Sequence, residues 1–332
     1  MLTFLLIENK RRLLLEAEVK KSFSEAWALG TNKNYVCQGR LYVAFCLAYG
    51  YRLTPPSVRV LCAFVQFLSR EFKAPGAIKN YLTGPKWLYV LLGFSTRAFE
   101  HERLKLLLRA ITRSLQHLPR QALPLTDNIL LRIGKLLDLS VPNDAVFWAL
   151  LVLAFNLMAR KSNLTPVSRV SFDPSQQLVR RDVVRGSDFI VVSIRWSKTN
   201  QFRNRILTVP ILSIPGSLLC PVAAYDRVIE LSPGRDWDPL FVWQQRGEWV
   251  PITYREYLCK LRSLLQAVGL QANAYSTHSL RRGGATAAGA AGLPRSLIAN
   301  VGDWRSDIVD DYIFDPFQSR VKAAKLMKQR VK

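Results

Sequence analysis

Apolar residues recur every three or four positions along most of this chain, the period of helices that turn one face to a core. In AWALGTNKNYVCQGRLYVAFCLAYG, Tyr35, Leu41 or Tyr42, Phe45 and Tyr49 fall on such a stripe. Pro55-Pro56 and Pro75-Gly76 interrupt the period, which predicts helices near 57–71, 77–91 and 99–116. In HLPRQALPLTD, residues 117–127, the periodicity disappears, and two prolines disfavour helix for themselves and for their predecessors. The reading is a helical domain over 1–118 and a linker over 119–126. TDNILLRIGKLLDL then restarts a helix with Thr126 or Asp127 as N-cap, and a strongly apolar helix over roughly 143–159 ends at MARKSN.

The period changes between 177 and 211. DFIVVSIRW alternates, with Ile190, Val192, Ile194 and Trp196 on one face, and NRILTVPI follows after a polar turn. This predicts a β-hairpin with SKTNQFRN at its tip, and helices from Pro221 to the end. The fold class is therefore mainly α with a small β-hairpin or sheet, α+β, in two domains. The second domain spans 127–332 and closes on a basic helix, SRVKAAKLMKQRVK. No internal repeat or low-complexity segment is present, and 332 residues with 49% apolar content are enough for a sizeable core rather than a disordered chain.

Charge narrows the function. The formal net charge is +23 and the isoelectric point about 10.2, which points to a polyanionic partner: nucleic acid first, an acidic membrane surface second. The excess is spread over the chain. Residues 1–120 carry 19 Lys and Arg against 7 Asp and Glu, and the remainder carries 28 against 17. Between 26 and 99 the only acid is Glu71. Five cysteines, with no CxxC and mostly apolar neighbours, read as buried free thiols in a reducing compartment. The apolar run in MLTFLLIE is too short for a signal peptide, and no stretch approaches the roughly 20 apolar residues of a membrane helix. The expectation is a soluble intracellular protein with no membrane partner.

The candidate chemistry centres on THSLRRGGATAAG, residues 277–289. In a helix His278 and Arg281 share a face and can address one ligand. Ser276 or Thr277 can cap the start, leaving His278 in the first turn, where free N–H groups favour an anion. Gly283 and Gly284 would let that helix approach a neighbour closely. A second H-x-x-R, His117 to Arg120, lies in the proline-broken stretch and shows that the spacing also arises by chance. Taken singly, the other candidates have ordinary readings too. Arg160 and Lys161 close the apolar helix, where a cation complements the helix dipole. Lys198 sits at a hairpin tip, a usual place for a solvated lysine, and Trp304 and Tyr312 fit a core.

In chain order the set is Arg160, Lys198, His278-x-x-Arg281, Trp304 and Tyr312. Over about residues 20–320 this resembles the tyrosine recombinases, the phage-integrase superfamily. WSKTNQ and GDWRSD…YI look most like recombinases of eukaryotic mobile elements, the Crypton and DIRS types. The resemblance implies a C-shaped clamp, with a helical core-binding domain facing the catalytic domain around double-stranded DNA. It implies that Tyr312 attacks a DNA phosphorus, forming a 3′-phosphotyrosyl link and releasing a 5′-hydroxyl. Arg160 and Arg281 would clamp the non-bridging oxygens through their fork of donors. Lys198 would protonate the leaving oxygen, His278 would assist the loss of the tyrosine proton, and Trp304 would donate its indole N–H to a phosphate oxygen. Bond energy is retained in the link, so no metal, ATP or other cofactor is implied.

Arg203, Arg205, Arg282 and Arg305 flank this set as candidate contacts to backbone phosphates, and Lys33, Arg40, Lys79 and Lys86 occupy the acid-poor first domain. Further protomers, a dimer or tetramer on DNA, are implied partners. The basic C-terminal helix reads either as a solvated end or nuclear-localisation signal, or as a segment that docks on a neighbouring protomer. A eukaryotic source would place the protein in the nucleus, and any other source in the cytoplasm. Two departures stand out. The family often has an acidic residue three after the first arginine, where this chain has Asn163, and its Leu-Gly-His is replaced by Val301-Gly302-Asp303-Trp304. A DNA-binding protein that has lost cleavage, a type IB topoisomerase and a basic helical module without an active site are the competing readings. The recombinase reading requires His278, Arg281 and Arg160 to converge on one phosphate-sized site facing Tyr312 or its counterpart from another protomer.

Overall fold

The computed structural model describes residues 2–118, 121–304 and 307–314. The chain divides into two compact units, Met1–Arg120 and Gln121–Lys332. Among the described residues no helix is long and apolar enough to cross a membrane.

The first unit is helical: α1 (Leu2–Glu25), α2 (Leu29–Ala48), α3 (Val58–Glu71), α4 (Pro75–Tyr81), α5 (Thr83–Leu91) and α6 (Glu102–Leu115). Of the stripe anticipated on α2, Tyr42 and Phe45 are buried, while Tyr49 is exposed. Tyr42 and Phe45 pack with Phe64 of α3 in an aromatic core. The single helix predicted for 77–91 is two helices, α4 and α5. Pro85 lacks the N–H that a continuous helix would need there. The break also lets Gly84 press against α2, where Gln38 Oε1 accepts from the Gly84 N–H at 3.0 Å and from Thr83 Oγ1 at 2.9 Å. A Cβ on Gly84 would sit 2.4 Å from that of Gln38.

The second unit is built around one helix. After α7 (Asp127–Gly134), capped by Thr126, comes α8 (Pro142–Asn156), whose residues from Ala145 to Phe155 are all buried. A helix apolar on every side belongs in the middle of a core. A short α9 (Lys161–Leu164) leads to a three-stranded antiparallel sheet in the order β1 (Val183–Arg185), β2 (Phe189–Ile194), β3 (Leu207–Leu212). The predicted hairpin is β2–β3, with Ile190, Val192 and Ile194 buried opposite Ile211, Val209 and Leu207. Strand β1 was not anticipated, because three residues are too few to establish a period.

Then come α10 (Pro221–Leu231), a second hairpin of β4 (Val242–Gln245) and β5 (Glu248–Pro251), α11 (Tyr254–Ala267), α12 (His278–Ala290) and α13 (Arg295–Val301). The β4–β5 hairpin corrects the expectation of helices throughout from Pro221. Its turn residues Arg246 and Gly247 both have positive φ, 52° and 85°, the backbone of a tight two-residue hairpin turn. Only the glycine announces that turn in the sequence.

The stretch read as linker is pinned at its far end. The Leu123 N–H donates to the Ala274 carbonyl and the Leu125 N–H to the Ser279 carbonyl, both at 2.9 Å, and Leu125 is fully buried. The thiols also need correction. Cys46 and Cys220 are buried, but Cys37 and Cys259 are exposed. The C-terminal helix expected over SRVKAAKLMKQRVK lies outside the described residues.

Candidate active site

Two helix ends and one helix start build the site. Helix α8 ends with Met158 in the left-handed region, φ 46°, its N–H donating to the Phe155 carbonyl and the Ala159 N–H to the Ala154 carbonyl, both at 3.1 Å. Helix α13 ends the same way at Asp303, φ 55°, with bonds from Asp303 N to Asn300 O (3.2 Å) and from Trp304 N to Ala299 O (2.9 Å). Both are Schellman caps, in which glycine usually takes the left-handed position. Here that position carries a side chain, and both residues hold a candidate arginine. The Met158 carbonyl accepts from Arg281 Nη1, and Asp303 accepts from Arg160.

Helix α12 starts at His278. Ser276 Oγ accepts the His278 N–H at 3.2 Å and Ser279 Oγ accepts the Ser276 N–H at 3.0 Å, so Ser276 rather than Thr277 provides the cap. Gly283 and Gly284 give the close approach expected of them. A Cβ on Gly283 would lie 1.9 Å from the Leu125 carbonyl oxygen, and one on Gly284 2.1 Å from that of Phe155. Arg281 is thereby drawn into the interior with 1% exposure. Its guanidinium lies 3.8 Å from the Trp304 ring centroid and 5.2 Å from that of Tyr312. Its Nε and Nη2, and the indole nitrogen of Trp304, find no hydrogen-bond acceptor among the described residues. Burial and then Arg160 push the Arg281 guanidinium down to about 9, against the Tyr312 phenol and Asp303, which favour its charged form. It stays protonated at neutral pH.

Arg160 does not complement the end of the apolar helix. It lies beyond that end as N-cap residue of α9 and turns to Asp303, donating from Nη1 to Oδ2 and from Nη2 to the backbone carbonyl, each at 2.9 Å. The Asp303 carboxylate also accepts from Ser197 Oγ, Thr199 Oγ1 and Arg205 Nη2. Ser197 and Thr199 flank Lys198, which is exposed in the turn closed by the Ser197–Asn200 bridge. Burial works against the charged form of Asp303, but these bonds outweigh it and hold the carboxyl below its ordinary range.

His278 is an exposed residue, yet protein atoms crowding its ring, followed by Lys161, Arg281, Arg160 and Lys198, hold its pKa below the usual histidine value. Tyr312 follows a short 3-10 helix, Asp307–Asp311, rather than lying within an α-helix as expected. Its ring packs on Trp304 with centroids 4.9 Å apart, in a small core with Met158, Ala285, Ile298 and Val309. All six residues of the candidate set thus belong to one region of the second unit.

The candidate phosphate contacts divide. Arg282 is corrected: it is buried, and its Nη1 donates to Gln121 Oε1 (2.8 Å) and to the Asp311 carbonyl (2.9 Å), tying down the segment before Tyr312. Arg205 turns to Asp303, and the exposed Arg203 donates to Ser175 Oγ at 2.6 Å. In the first unit Lys33, Arg40 and Lys79 are exposed, while Lys86 is half-buried and paired with Glu100 at 3.1 Å. Arg305 lies outside the described residues. In the sequence Asp303 stands out only as a departure from the family pattern. Its signal was a carboxylate just past a helix C-terminus, where the dipole disfavours negative charge. Among the described residues no three His, Cys, Asp or Glu side chains gather as a metal site.

No protein-family model matches the sequence, and no curated protein sequence matches it. Solved structures do. A Tn1549 transposon integrase in complex with transposon right-end DNA is 14% identical with TM-score 0.62, over 91% of this chain and 95% of that one. A lambda integrase dimer bound to a COC′ core site is 17% identical with TM-score 0.57, over 91% and 94%. The chain has the tyrosine-recombinase fold. A XerH site-specific recombinase bound to palindromic difH, in a post-cleavage complex, is likewise similar, 15% identical with TM-score 0.58 over 94% and 83%. At such identities this fold is what is shared. What this chain does with it rests on its own residues.

Proposed function

We propose that the protein is a site-specific DNA recombinase that cuts and rejoins strands through a 3′-phosphotyrosyl intermediate. The observation that carries this reading is Arg281: a buried guanidinium with two nitrogens lacking acceptors, packed under Trp304 and beside Tyr312. Such a group costs free energy until an anion meets it. A DNA phosphodiester supplies that anion and places phosphorus beside the Tyr312 hydroxyl.

The roles are those that the resemblance to tyrosine recombinases implies, and the grouping of the six residues supports them. Arg160 and Arg281 stabilise the added charge on the non-bridging oxygens, donors of a kind typically worth ~3–4 kcal/mol each at a transition state. Trp304 N–H donates to the same phosphate. His278, kept neutral at pH 7 by the crowding of its ring and then by its cationic neighbours, accepts the phenolic proton as the Tyr312 oxygen bonds to phosphorus. Lys198 gives a proton to the departing 5′-oxygen. The large positive charge of both units supports double-stranded DNA as the substrate, with Lys33, Arg40, Lys79 and Arg203 as exposed phosphate contacts. The Crypton- or DIRS-like motifs suggest a mobile element of a eukaryote, hence action in the nucleus, with other protomers joining on DNA.

The test uses a nicked suicide duplex carrying the ends of the element from which the chain derives. Wild-type protein is expected to become covalently attached, and Tyr312→Phe to bind equally without attachment. Binding without attachment by the wild type would leave a DNA-binding protein. Relaxation of supercoiled DNA without strand exchange would indicate a topoisomerase.

A further inference from the structure

Among the described residues Asp303 receives more polar contacts than any catalytic candidate. One carboxylate oxygen accepts from Arg160, Ser197 and Thr199, the other from Arg205. Its carbonyl accepts from Arg160 again and from Thr199 at 3.3 Å. The side chain is only 6% exposed. A buried carboxylate is tolerated when its lone pairs are filled and its charge is matched, and here two guanidiniums and two hydroxyls do both. Asn163, three residues after Arg160, turns elsewhere and donates to the Trp196 carbonyl at 2.5 Å. The acid that holds Arg160 therefore comes from the far end of the site.

We infer that Asp303 is a positioning residue that locks Arg160 and the Lys198 turn into one frame, so that phosphate clamp and proton donor meet the same phosphodiester. This rests on the recombinase reading. Lys198 itself is exposed, but the residues on both sides of it are anchored on Asp303, which sets where its ammonium can reach. In the step served, the Tyr312 oxygen bonds to phosphorus and its proton passes to His278. The bond from phosphorus to the 5′-oxygen breaks, and that oxygen takes a proton from Lys198 Nζ. Loosening the turn should harm only the last of these events. Loosening Arg160 should harm the phosphorus-centred ones as well.

The leaving group separates the two effects. The variant Ser197→Ala/Thr199→Val keeps the Asp303–Arg160 and Asp303–Arg205 pairs while removing the two hydroxyl ties on either side of Lys198. It is compared with wild type on an ordinary duplex and on one with sulfur in place of the bridging 5′-oxygen. A thiol, with pKa near 8.5, leaves as thiolate without a proton. The double variant is expected to cleave the ordinary duplex about tenfold or more slowly, the scale of a weakened general acid, and the sulfur duplex at the wild-type rate. Asp303→Asn is expected to slow both. Unchanged cleavage of the ordinary duplex by the double variant, or equal slowing on both duplexes, overturns the inference. Should wild type cleave neither duplex, the recombinase reading falls by itself. Amide exchange at Asn200, whose N–H donates to the Ser197 backbone carbonyl at 2.9 Å, then decides on Asp303: faster exchange in both variants sustains the lock, and unchanged exchange removes it.

Discussion

His278 shows how one residue can be poised by its neighbours. Crowding and four cations disfavour the imidazolium, so the ring is neutral across the physiological range. If that neutral ring takes the phenolic proton, cleavage should hold its rate as pH falls through 6.5, the ordinary histidine value, and decline only at lower pH. Lys161 is the strongest of the cations acting on the ring, and its ammonium sits 3.5 Å from the Tyr254 ring centroid. Removing a cation raises the histidine pKa, so Lys161→Ala should move the acid limb of the pH–rate profile to higher pH. An unmoved limb would show that another group sets it. At this scale order and spacing along the chain, through the resemblance they carry, single out His278, Arg281, Arg160, Lys198, Trp304 and Tyr312 as candidates, and the structure brings them into one region of the second unit. The sequence did not reveal what those residues touch. Arg282 looked like a further phosphate ligand and is a buried tie to Asp311, and Asp303 looked like a departure and is the centre of a network.

At the scale of elements, α12 is held by what it lacks. Gly283 and Gly284 bring it against the Leu125 and Phe155 carbonyls, and any larger residue must push those backbones away. Gly283→Ala should destabilise the second unit by about 2 kcal/mol or more, at the upper part of the usual overpacking range. Chemical denaturation of the purified protein measures this, and a change below about 0.5 kcal/mol, the level of an indifferent surface substitution, would mean that the approach is not tight. This contact was legible as a Gly-Gly pair in a helical run. The main helices and the β2–β3 hairpin were legible too, because each bears a long, regular apolar period. The β4–β5 hairpin was missed because its four-residue strands carry Gln, Glu and Trp with little alternation. The α4–α5 break is less legible, because Pro85 sits inside an apolar run that continues to Leu92.

At the scale of the molecule, the charge is the most direct sequence observation and the one with the plainest consequence. Net charges of +12 on the first 120 residues and +11 on the rest give both units the sign that DNA requires. If both contact phosphates, affinity should fall linearly with salt on logarithmic axes, and removing one contacting lysine, such as Lys33 or Lys79, should reduce the slope by about 1. Binding that ignores salt would contradict a phosphate-based interface.

If Tyr312 is the nucleophile, the DNA must become attached to that residue. The adduct formed on a suicide duplex is digested with trypsin and nuclease and the modified peptide is sequenced by mass spectrometry. The expected peptide is SDIVDDYIFDPFQSR, residues 306–320, in which Tyr312 is the only tyrosine, carrying a 3′-linked nucleotide on that residue. A nucleotide on any other residue, or a 5′-linked one, would exclude Tyr312 as a nucleophile that forms a 3′-phosphotyrosyl link.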